Sequence, residues 1–554
     1  PFSECRVCSF GCPEGQSWSV WCHPTSNWTY GEVRSDNAYK GGGGVGDLNE
    51  VHRMETFDMD ATNGFLDSKW YHLYCSVQRC NSALRVLNAA TDEQVNGRVS
   101  RIAEMKVLRA HYYFELSRLF NKIPYFDENV EISQYPDIPN NEFTRDEILS
   151  MLAKEMLDAA EQLPASQPEV GRIHKYIALA YAAKIKLYQA YQQDEITHAV
   201  TSINKELLRE VVSLCDQVTA SNRYGLLDDF QGLDLVTNEN GKESVFAIQY
   251  SMNDGTESAG RINWSNLLNS PGGGSPYGGD GFFLPSQDLI NAYQTDANGL
   301  PDFNYQSKSD YSWAVLNNGV YTLQNTTPNV DPRLDLFVGR PTITWKTYPD
   351  KPCEGWVRDK DTYGYNCAKR FWVSPESSDM FNGWPWGASQ LNWQIIRYAD
   401  ILLWKAEALI ELNEGNGLET ARDLINQIRN RARNSAYVKD FNDHSKYAAN
   451  YLVNPYPADV WNQDYARQAL RWETRLEKAL EGERFFDLVR WGIVETTMNK
   501  YITAESDNRI YYANAHFTVE RMSIIRFRTI NTDFLEASMY RIPVMLRSTN
   551  YILK

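Results

Sequence analysis

The 554-residue chain lacks any hydrophobic run that could cross a membrane, because no stretch of about 18 apolar residues occurs without charge. It also lacks a basic excess: 55 Lys and Arg stand against 71 Asp and Glu, a formal net charge of −16. Nucleic acids and anionic membranes attract basic faces, so this charge argues against both partners. The Gly-x-Ser-x-Gly and His-Glu-x-x-His patterns of hydrolases are absent as well.

Aromatic residues are the abundant class. The chain holds 16 Trp, 33 Tyr and 22 Phe, which together make up 13% of its residues. Trp and Tyr combine a flat apolar face with a polar edge, which suits surfaces that hold amphipathic ligands. The composition therefore favours a binding protein, although it places no site.

The nine cysteines are concentrated at the start, where Cys5, Cys8, Cys12 and Cys22 occur. Their spacing fits no common zinc finger, so we expect no metal there and are left with a local disulfide or a misassigned terminal sequence. The chain begins at Pro1 without Met, which indicates a processed or incomplete N-terminus.

Helical periodicity begins near residue 63. Residues 101–120 place Met105, Leu108, Tyr112 and Leu116 on one face, the spacing of an amphipathic helix. The same reasoning predicts helices over residues 65–87, 145–163, 171–191 and 207–220. Successive helices of this length are typical of tetratricopeptide-like repeats.

The periodicity fades after residue 224. Short β-like runs at 244–250 and 341–345 lie among loops rich in Gly, Pro, Asn and Asp. Helices are predicted again over 393–412, 418–433 and 464–491. We predict a mainly α, tetratricopeptide-like scaffold of helical pairs with a large loop-rich, partly β insertion. In this prediction, residues 1–62 form an irregular N-terminal part with ligand loops, and residues 63–224 form helical repeats. Residues 225–390 are the loop-rich insertion with further ligand loops, and residues 391–554 are further helical repeats with a C-terminal segment.

Several segments resemble one known family. They read SKWYHLYCSVQRCNSALRVL (68–87), AEMKVLRAHYYFELSRLFNKIPYF (103–126), GRIHKYIALAYAAKIKLY (171–188), IRYADILLWKAEALIELN (396–413) and ETRLEKALEGERFFDLVRWG (473–492). In this order they resemble the SusD-like (RagB/SusD) lipoproteins of Bacteroidetes outer membranes. The start of the chain departs from the family, which begins with a lipidated Cys, and the last 15 residues fit only partly.

The resemblance implies a function. Family members are lipid-anchored on the extracellular face of the outer membrane, bind a nutrient, usually a glycan, and close over a SusC-like TonB-dependent barrel during import. It therefore implies an oligosaccharide ligand, a barrel partner, no cofactor and no catalysis. Membrane attachment would be only through an N-terminal lipid anchor that this chain lacks.

The stretch 473–492 also has a structural interpretation. Arg484, Asp487 and Arg490 are spaced three apart, which predicts ion pairs on one helical face. Neighbouring apolar side chains, Phe485, Phe486, Leu488 and Trp491, are predicted to fill the core.

Candidate ligand residues follow from the loops that the resembled family uses. A glycan site needs aromatic faces together with polar groups that bond hydroxyls. The candidates in these loops and at the start of the first repeat helix are Asp36, Asn37, Tyr39, Trp70, Trp264, Tyr277, Trp313, Trp356, Trp384 and Trp386. Each tryptophan could instead pack in the core. For Trp70 this core interpretation is favoured, and for each tryptophan of the insertion the ligand and core interpretations have equal weight.

Other functions stay open. A member of the same family could bind peptides, and a helical-repeat scaffold could bind only protein, although so many loop tryptophans argue against a pure scaffold. A glycoside hydrolase would need two carboxylates, for which Asp58/Asp60 and Asp228/Asp229 are chance-level candidates.

Overall fold

The computed structural model describes residues 22, 24–60, 62–120, 122–195, 197–255, 261–346 and 348–519. Described residues fall into two compact units, one containing Asp60–Ser221 and the other Pro24–Met59 with Asn222–Phe517. The insertion predicted over 225–390 thus belongs to one unit with the helices that follow it.

The α-helices of both units are numbered in chain order. They are α1 (Asn49–Glu55), α2 (Gly64–Ala89), α3 (Arg98–Leu119), α4 (Arg145–Gln162), α5 (Lys175–Ala190), α6 (Lys205–Thr219), α7 (Gln287–Ala292), α8 (Arg333–Phe337), α9 (Lys360–Tyr363), α10 (Tyr398–Leu412), α11 (Gly417–Asn434), α12 (Gln463–Glu477), α13 (Arg484–Arg490) and α14 (Val494–Ser506).

The unit of residues 60–221 consists mainly of helices α2 to α6, each packed on the next in sequence. Side-chain caps set the starts of three of them, α2, α4 and α6. The Asn63 side chain accepts hydrogen bonds from the backbone of α2, and Thr144 forms a capping box with Glu147 at the start of α4. The alanines of α5 are fully buried, which lets its neighbours approach closely. All five predicted helices are confirmed here, with ends shifted by a few residues.

The other unit combines helices with short two-stranded sheets. Helices α10, α11 and α12 pack together around a core that includes Leu402, Ile410, Ile425 and Leu470. The strands of both units, again in chain order, are β1 (Ala38–Gly41), β2 (Tyr191–Gln193), β3 (Val200–Ile203), β4 (Ser244–Ile248), β5 (Phe282–Pro285), β6 (Gln294–Thr295), β7 (Trp313–Asn317), β8 (Val320–Gln324), β9 (Asn329–Val330), β10 (Val338–Gly339), β11 (Thr344–Trp345), β12 (Tyr348–Pro352), β13 (Cys367–Ala368) and β14 (Trp393–Arg397). Strands β2 and β3 lie in the unit of residues 60–221, called the helical-repeat unit below. Every described sheet is an antiparallel pair.

Two predicted helices differ from those observed. Residues 393–397 form strand β14, which pairs with β4, so the helix predicted from 393 begins only at Tyr398. The helix predicted over 464–491 is interrupted between α12 and α13. Leu480 and Gly482 have φ values of 66° and 84°, which no helix accommodates. A Cβ at Gly482 would lie 2.0 Å from the Ser26 carbonyl oxygen, so close backbone packing requires glycine there.

A network of buried ion pairs occupies this second unit. Glu477 accepts hydrogen bonds from Arg333 (3.1 Å), Arg397 (2.8 Å) and Arg431, and all four residues are buried. Arg397 also donates to Glu243 (2.9 Å). For Glu477, burial raises the pKa, but Arg431, Arg397 and Arg333 outweigh burial and hold the pKa below its usual value.

The stretch after α12 has the structural role that its sequence predicted. Arg484 donates to Asp36, and Arg490 pairs with Glu407 and with Asp487 (2.8 Å). Phe485, Phe486, Leu488 and Trp491 are buried.

Membrane and metal features can be assessed only for the described residues. Within them, none of the helices has both the length and the apolarity needed to cross a bilayer. The same part of the chain holds no cluster of three or more His, Cys, Asp or Glu side chains able to share a metal ion. The possible zinc ligands Cys5, Cys8 and Cys12 and the last 15 residues lie outside it.

We expect Glu477→Gln to lower the free energy of unfolding by about 3–5 kcal/mol, because it leaves three buried arginines short of a counter-charge. Urea denaturation followed by tryptophan fluorescence measures the change. The control Glu354→Gln alters an exposed loop carboxylate and should shift stability by less than about 0.5 kcal/mol. Equal stability of the two variants would refute the role assigned to Glu477.

Candidate ligand-binding surface

Exposed tryptophans mark one surface of the insertion. Trp384 is 54% and Trp386 46% exposed, although large aromatic side chains are usually mostly buried. The Trp384 ring stands edge-on to Trp264, with ring centroids 5.9 Å apart. We call Trp264, Trp384 and Trp386 the tryptophan platform.

The loop that carries Trp384 and Trp386 is closed at its base. Met380 bridges Ser389, and the Phe381 amide donates to the Ala388 carbonyl (2.7 Å). A Cβ at Gly387, where φ is 72°, would lie 2.6 Å from the Ser270 Cβ, so the loop packs tightly on its neighbour. These contacts hold the tip residues, including Trp384, away from the core.

Asn263 fixes the third tryptophan beside this loop. Its amide donates to the Ser389 carbonyl (2.8 Å) and its side-chain nitrogen to the Leu391 carbonyl (2.9 Å). Its side-chain oxygen accepts from the Ser265 amide and so begins the short turn that contains Trp264. The platform is thus built from two segments joined by backbone bonds.

Charged groups that the sequence reasoning missed lie in the same segment. Arg261, three residues before Trp264, forms an ion pair with Asp254 (3.1 Å). The backbone of Arg261 also forms a β-bridge with Ser251. The Arg261 side chain is half exposed. Such groups can bond the hydroxyls of a ligand lying on the rings, but no motif in the sequence distinguishes them from other surface charges.

Trp313 lies on a separate hairpin formed by β7 and β8. It is 40% exposed, and Leu316 and Val320 on the same hairpin are exposed too. The register places Trp313 and Val320 on one face of the hairpin and Leu316 on the other, so each face exposes apolar side chains.

Tyr277 and Trp356 are buried instead of lining a surface. The Tyr277 hydroxyl donates to the Val373 carbonyl (2.7 Å) and accepts from Trp345 (2.9 Å). Trp356 packs against Trp345 with ring centroids 5.0 Å apart. Both residues belong to the core of the insertion, where they support its loops.

The three candidates near the start of the chain are buried as well. Asp36 pairs with Arg475 and Arg484, and Asn37 accepts from Arg475 (2.9 Å). The Tyr39 hydroxyl donates to Glu505 (2.6 Å). Their polar atoms are used within the fold, an arrangement that favours a structural role, so we leave them out of the proposed site.

Trp70 lies in the helical-repeat unit, where it is 4% exposed. Its ring contacts Tyr74 and Phe120, with centroids 4.8 Å and 4.9 Å away. This packing is that of a core residue.

Comparisons with known proteins agree with this architecture. A family model described as the SusD family matches residues 242–550, and one described as starch-binding associating with outer membrane matches residues 25–187. Because the first covers more than half of the chain, the protein belongs to the SusD family.

Individual relatives have low sequence identity to this chain, but they align with most of its length. The SusD-like protein of Bacteroides ovatus is 22% identical over 457 residues, covering 79% of this chain and 67% of the relative. SusD-like protein P2 of Formosa agariphila is 25% identical over 443 residues, covering 79% of this chain and 74% of the relative.

Solved structures share the fold. Surface glycan-binding protein A of Bacteroides thetaiotaomicron, solved with laminarihexaose, aligns with a TM-score of 0.59 at 20% identity over 86% of each chain. A laminarin-binding SusD-like protein aligns with a TM-score of 0.61 at 20% identity, over 91% of this chain and 92% of the other. The predicted fold class, mainly α and tetratricopeptide-like, is confirmed.

The burial of Asp36 predicts a pH dependence of stability. Burial raises its pKa, but Arg475 and Arg484 outweigh burial and lower the pKa from 3.8 to about 2. A lowered carboxyl pKa stabilises the folded state above the unfolded-state pKa, and this contribution is lost as pH falls toward 2.

Asp36→Asn should therefore be less stable than the parent above pH 5, by on the order of 2 kcal/mol, and the difference should narrow between about pH 4 and pH 2. Urea denaturation across this pH range tests it. The exposed control Asp58→Asn should show no such convergence. A difference for Asp36→Asn that is independent of pH would contradict the assignment.

Proposed function

We propose that the protein captures oligosaccharides on the tryptophan platform at the extracellular face of the outer membrane, to which a lipid anchor would attach it. In this role it acts as the lid of a SusC-like TonB-dependent importer and has no catalytic activity. The observation that carries the proposal is the exposure of Trp384 and Trp386 on a braced loop, where the Trp384 ring also contacts Trp264.

The chemistry of the platform suits sugars. The C–H faces of a sugar ring pack on indole rings, and nearby polar groups such as Arg261 and Asp254 can bond its hydroxyls. Support also comes from the two structural neighbours whose names record laminarihexaose or laminarin as ligand. A β-linked glucan is therefore the first ligand to test.

A lid can work with a weak site. Attachment beside the barrel raises the effective concentration of the bound sugar at its entrance. Contacts from both proteins to one ligand would shift the population toward the closed state. The binding energy thus selects a conformation and no bond in the sugar needs to break.

We expect Trp384→Ala to weaken binding of laminarihexaose about tenfold, because it removes one flat face from the platform. Isothermal titration calorimetry measures the affinity, and chromatography of the recovered sugar should show it unchanged. Trp384→Phe keeps a ring and should retain most of the affinity.

The matched control is Val86→Ala, which truncates an exposed apolar side chain in the helical-repeat unit and should leave binding unaltered. Binding of peptides but not glycans would move the function to peptide capture. Hydrolysis of the sugar by the purified chain would refute the binding-only role.

The lid role has its own test. The tagged full-length protein, extracted from outer membranes in mild detergent, should purify with a TonB-dependent barrel in stoichiometric amount. Purification of the protein alone under conditions that preserve outer-membrane complexes would contradict this part of the proposal.

A further inference from the structure

A cavity of about 460 Å³ lies within the unit that contains Asn222–Phe517. Its size falls within the range of small-molecule sites. The charged and aromatic groups around it include Asp234, Lys346, Lys369, Arg370, Trp372 and Lys439. The lining also contains the carboxylates of Glu376 and Asp379, so four basic side chains face three acidic ones in a chain whose net charge is −16.

Two lysines in the wall of the cavity each donate one hydrogen bond to the protein. Lys346 donates to the Asp234 carboxylate (2.8 Å), and Lys369 donates to the Thr344 carbonyl (2.8 Å). An ammonium group carries three N–H donors, and no second acceptor for either lysine lies among the described residues. Lys439, at the exposed edge, has its ammonium 4.0 Å from the centre of the Tyr447 ring.

Two of the three carboxylates that line the cavity, Asp234 and Asp379, already accept hydrogen bonds from the protein, and the third is Glu376. The Asp234 carboxylate accepts from Lys346, Arg370 and the Phe371 amide. The Asp379 carboxylate accepts from Gln390 (2.7 Å) and Ser377 (3.1 Å). The lining thus keeps one more positive than negative side chain and ammonium N–H donors without an acceptor among the described residues, which favours a ligand that brings its own negative charge.

Burial makes this shortage energetically important. Burial lowers the pKa of Lys369 to about 8, although Asp335 opposes the shift. A buried ammonium is stabilised by an anion placed next to it, since charges interact more strongly away from water. A bound carboxylate would supply that partner.

The remaining lining suits a sugar ring. Trp372, Phe230 and Tyr437 present aromatic surface, and the hydroxyls of Ser377 and Thr344 add polar groups. The cavity is also linked to the platform, because Asp379 lines it and Trp384 follows five residues later in the same loop. Five residues span at most about 18 Å, so one chain of sugars could contact both places.

We propose that this cavity binds an acidic sugar residue, whose carboxylate is held by Lys346, Lys369 and Lys439. The sugar identity of the ligand rests on the proposed function, whereas the preference for an anion rests on the cavity itself. Neutral residues of the same glycan would lie on the tryptophan platform.

Calorimetric titration of the full chain with glucuronate tests the proposal, with methyl β-glucoside as the neutral counterpart and acetate as the carboxylate without a ring. We expect saturable binding of glucuronate, with methyl β-glucoside and acetate each at least about tenfold weaker. Higher salt should weaken glucuronate binding, because the attraction is electrostatic.

Two substitutions locate the binding. Lys439→Gln removes a charge at the exposed edge, where folding is not at risk, and Lys369→Met removes the buried one with little change in volume. Each should weaken glucuronate binding about tenfold. The control Lys500→Gln removes an exposed charge on α14, away from the cavity lining, and should have no effect.

Three results would overturn the proposal: equal affinity for glucuronate and methyl β-glucoside, equal affinity for glucuronate and acetate, or glucuronate binding that neither lysine substitution changes. Laminarihexaose binding and its loss in Trp384→Ala are measured on the same samples. The cavity proposal can therefore fail while the proposed capture of neutral glycans stands, and the reverse outcome is equally visible.

Discussion

Buried pairing between arginines and carboxylates is the constraint on which the larger unit depends. Glu477 meets Arg333, Arg397 and Arg431 at one point, although these residues come from helices and a strand far apart in sequence. Taking such charges out of water is expensive, and only the assembled set compensates for it. The network therefore specifies one arrangement of α8, β14, α11 and α12 more than it adds stability.

This arrangement also positions the loop that carries Trp384 and Trp386. Arg397 ends strand β14, which starts only three residues after Gln390, where the platform loop closes on Asp379. Pairing of β14 with β4 and the ion pairs of Arg397 thus hold the base of the loop. With a firmly held base, the loop can expose Trp384 at its tip without collapsing over its apolar ring. Exposed aromatic surface of this kind is typical of interaction sites.

Much of the fold could be predicted from the sequence because amphipathic helices repeat with a clear period, as Met105, Leu108 and Leu116 do in α3. The break after α12 could not, since it depends on the close approach of Gly482 to Ser26, a contact between distant segments. The candidate site, too, could be predicted only in part from the sequence. Loop position identified Trp384 and Trp386, but it could not separate them from Trp356, because burial of one loop tryptophan by another is decided by tertiary packing. No local sequence pattern distinguishes Arg261 or the cavity lysines from other charged residues.

In the proposed function, a braced loop presents tryptophans to a glycan while the ion-pair network around Glu477 stays unchanged. Hydrogen–deuterium exchange of the full chain with and without laminarihexaose tests it most directly. With the sugar bound, we expect slower exchange in residues 261–265 and 379–390 and no change in α12. Protection confined to other segments, or altered exchange across α12, would contradict it.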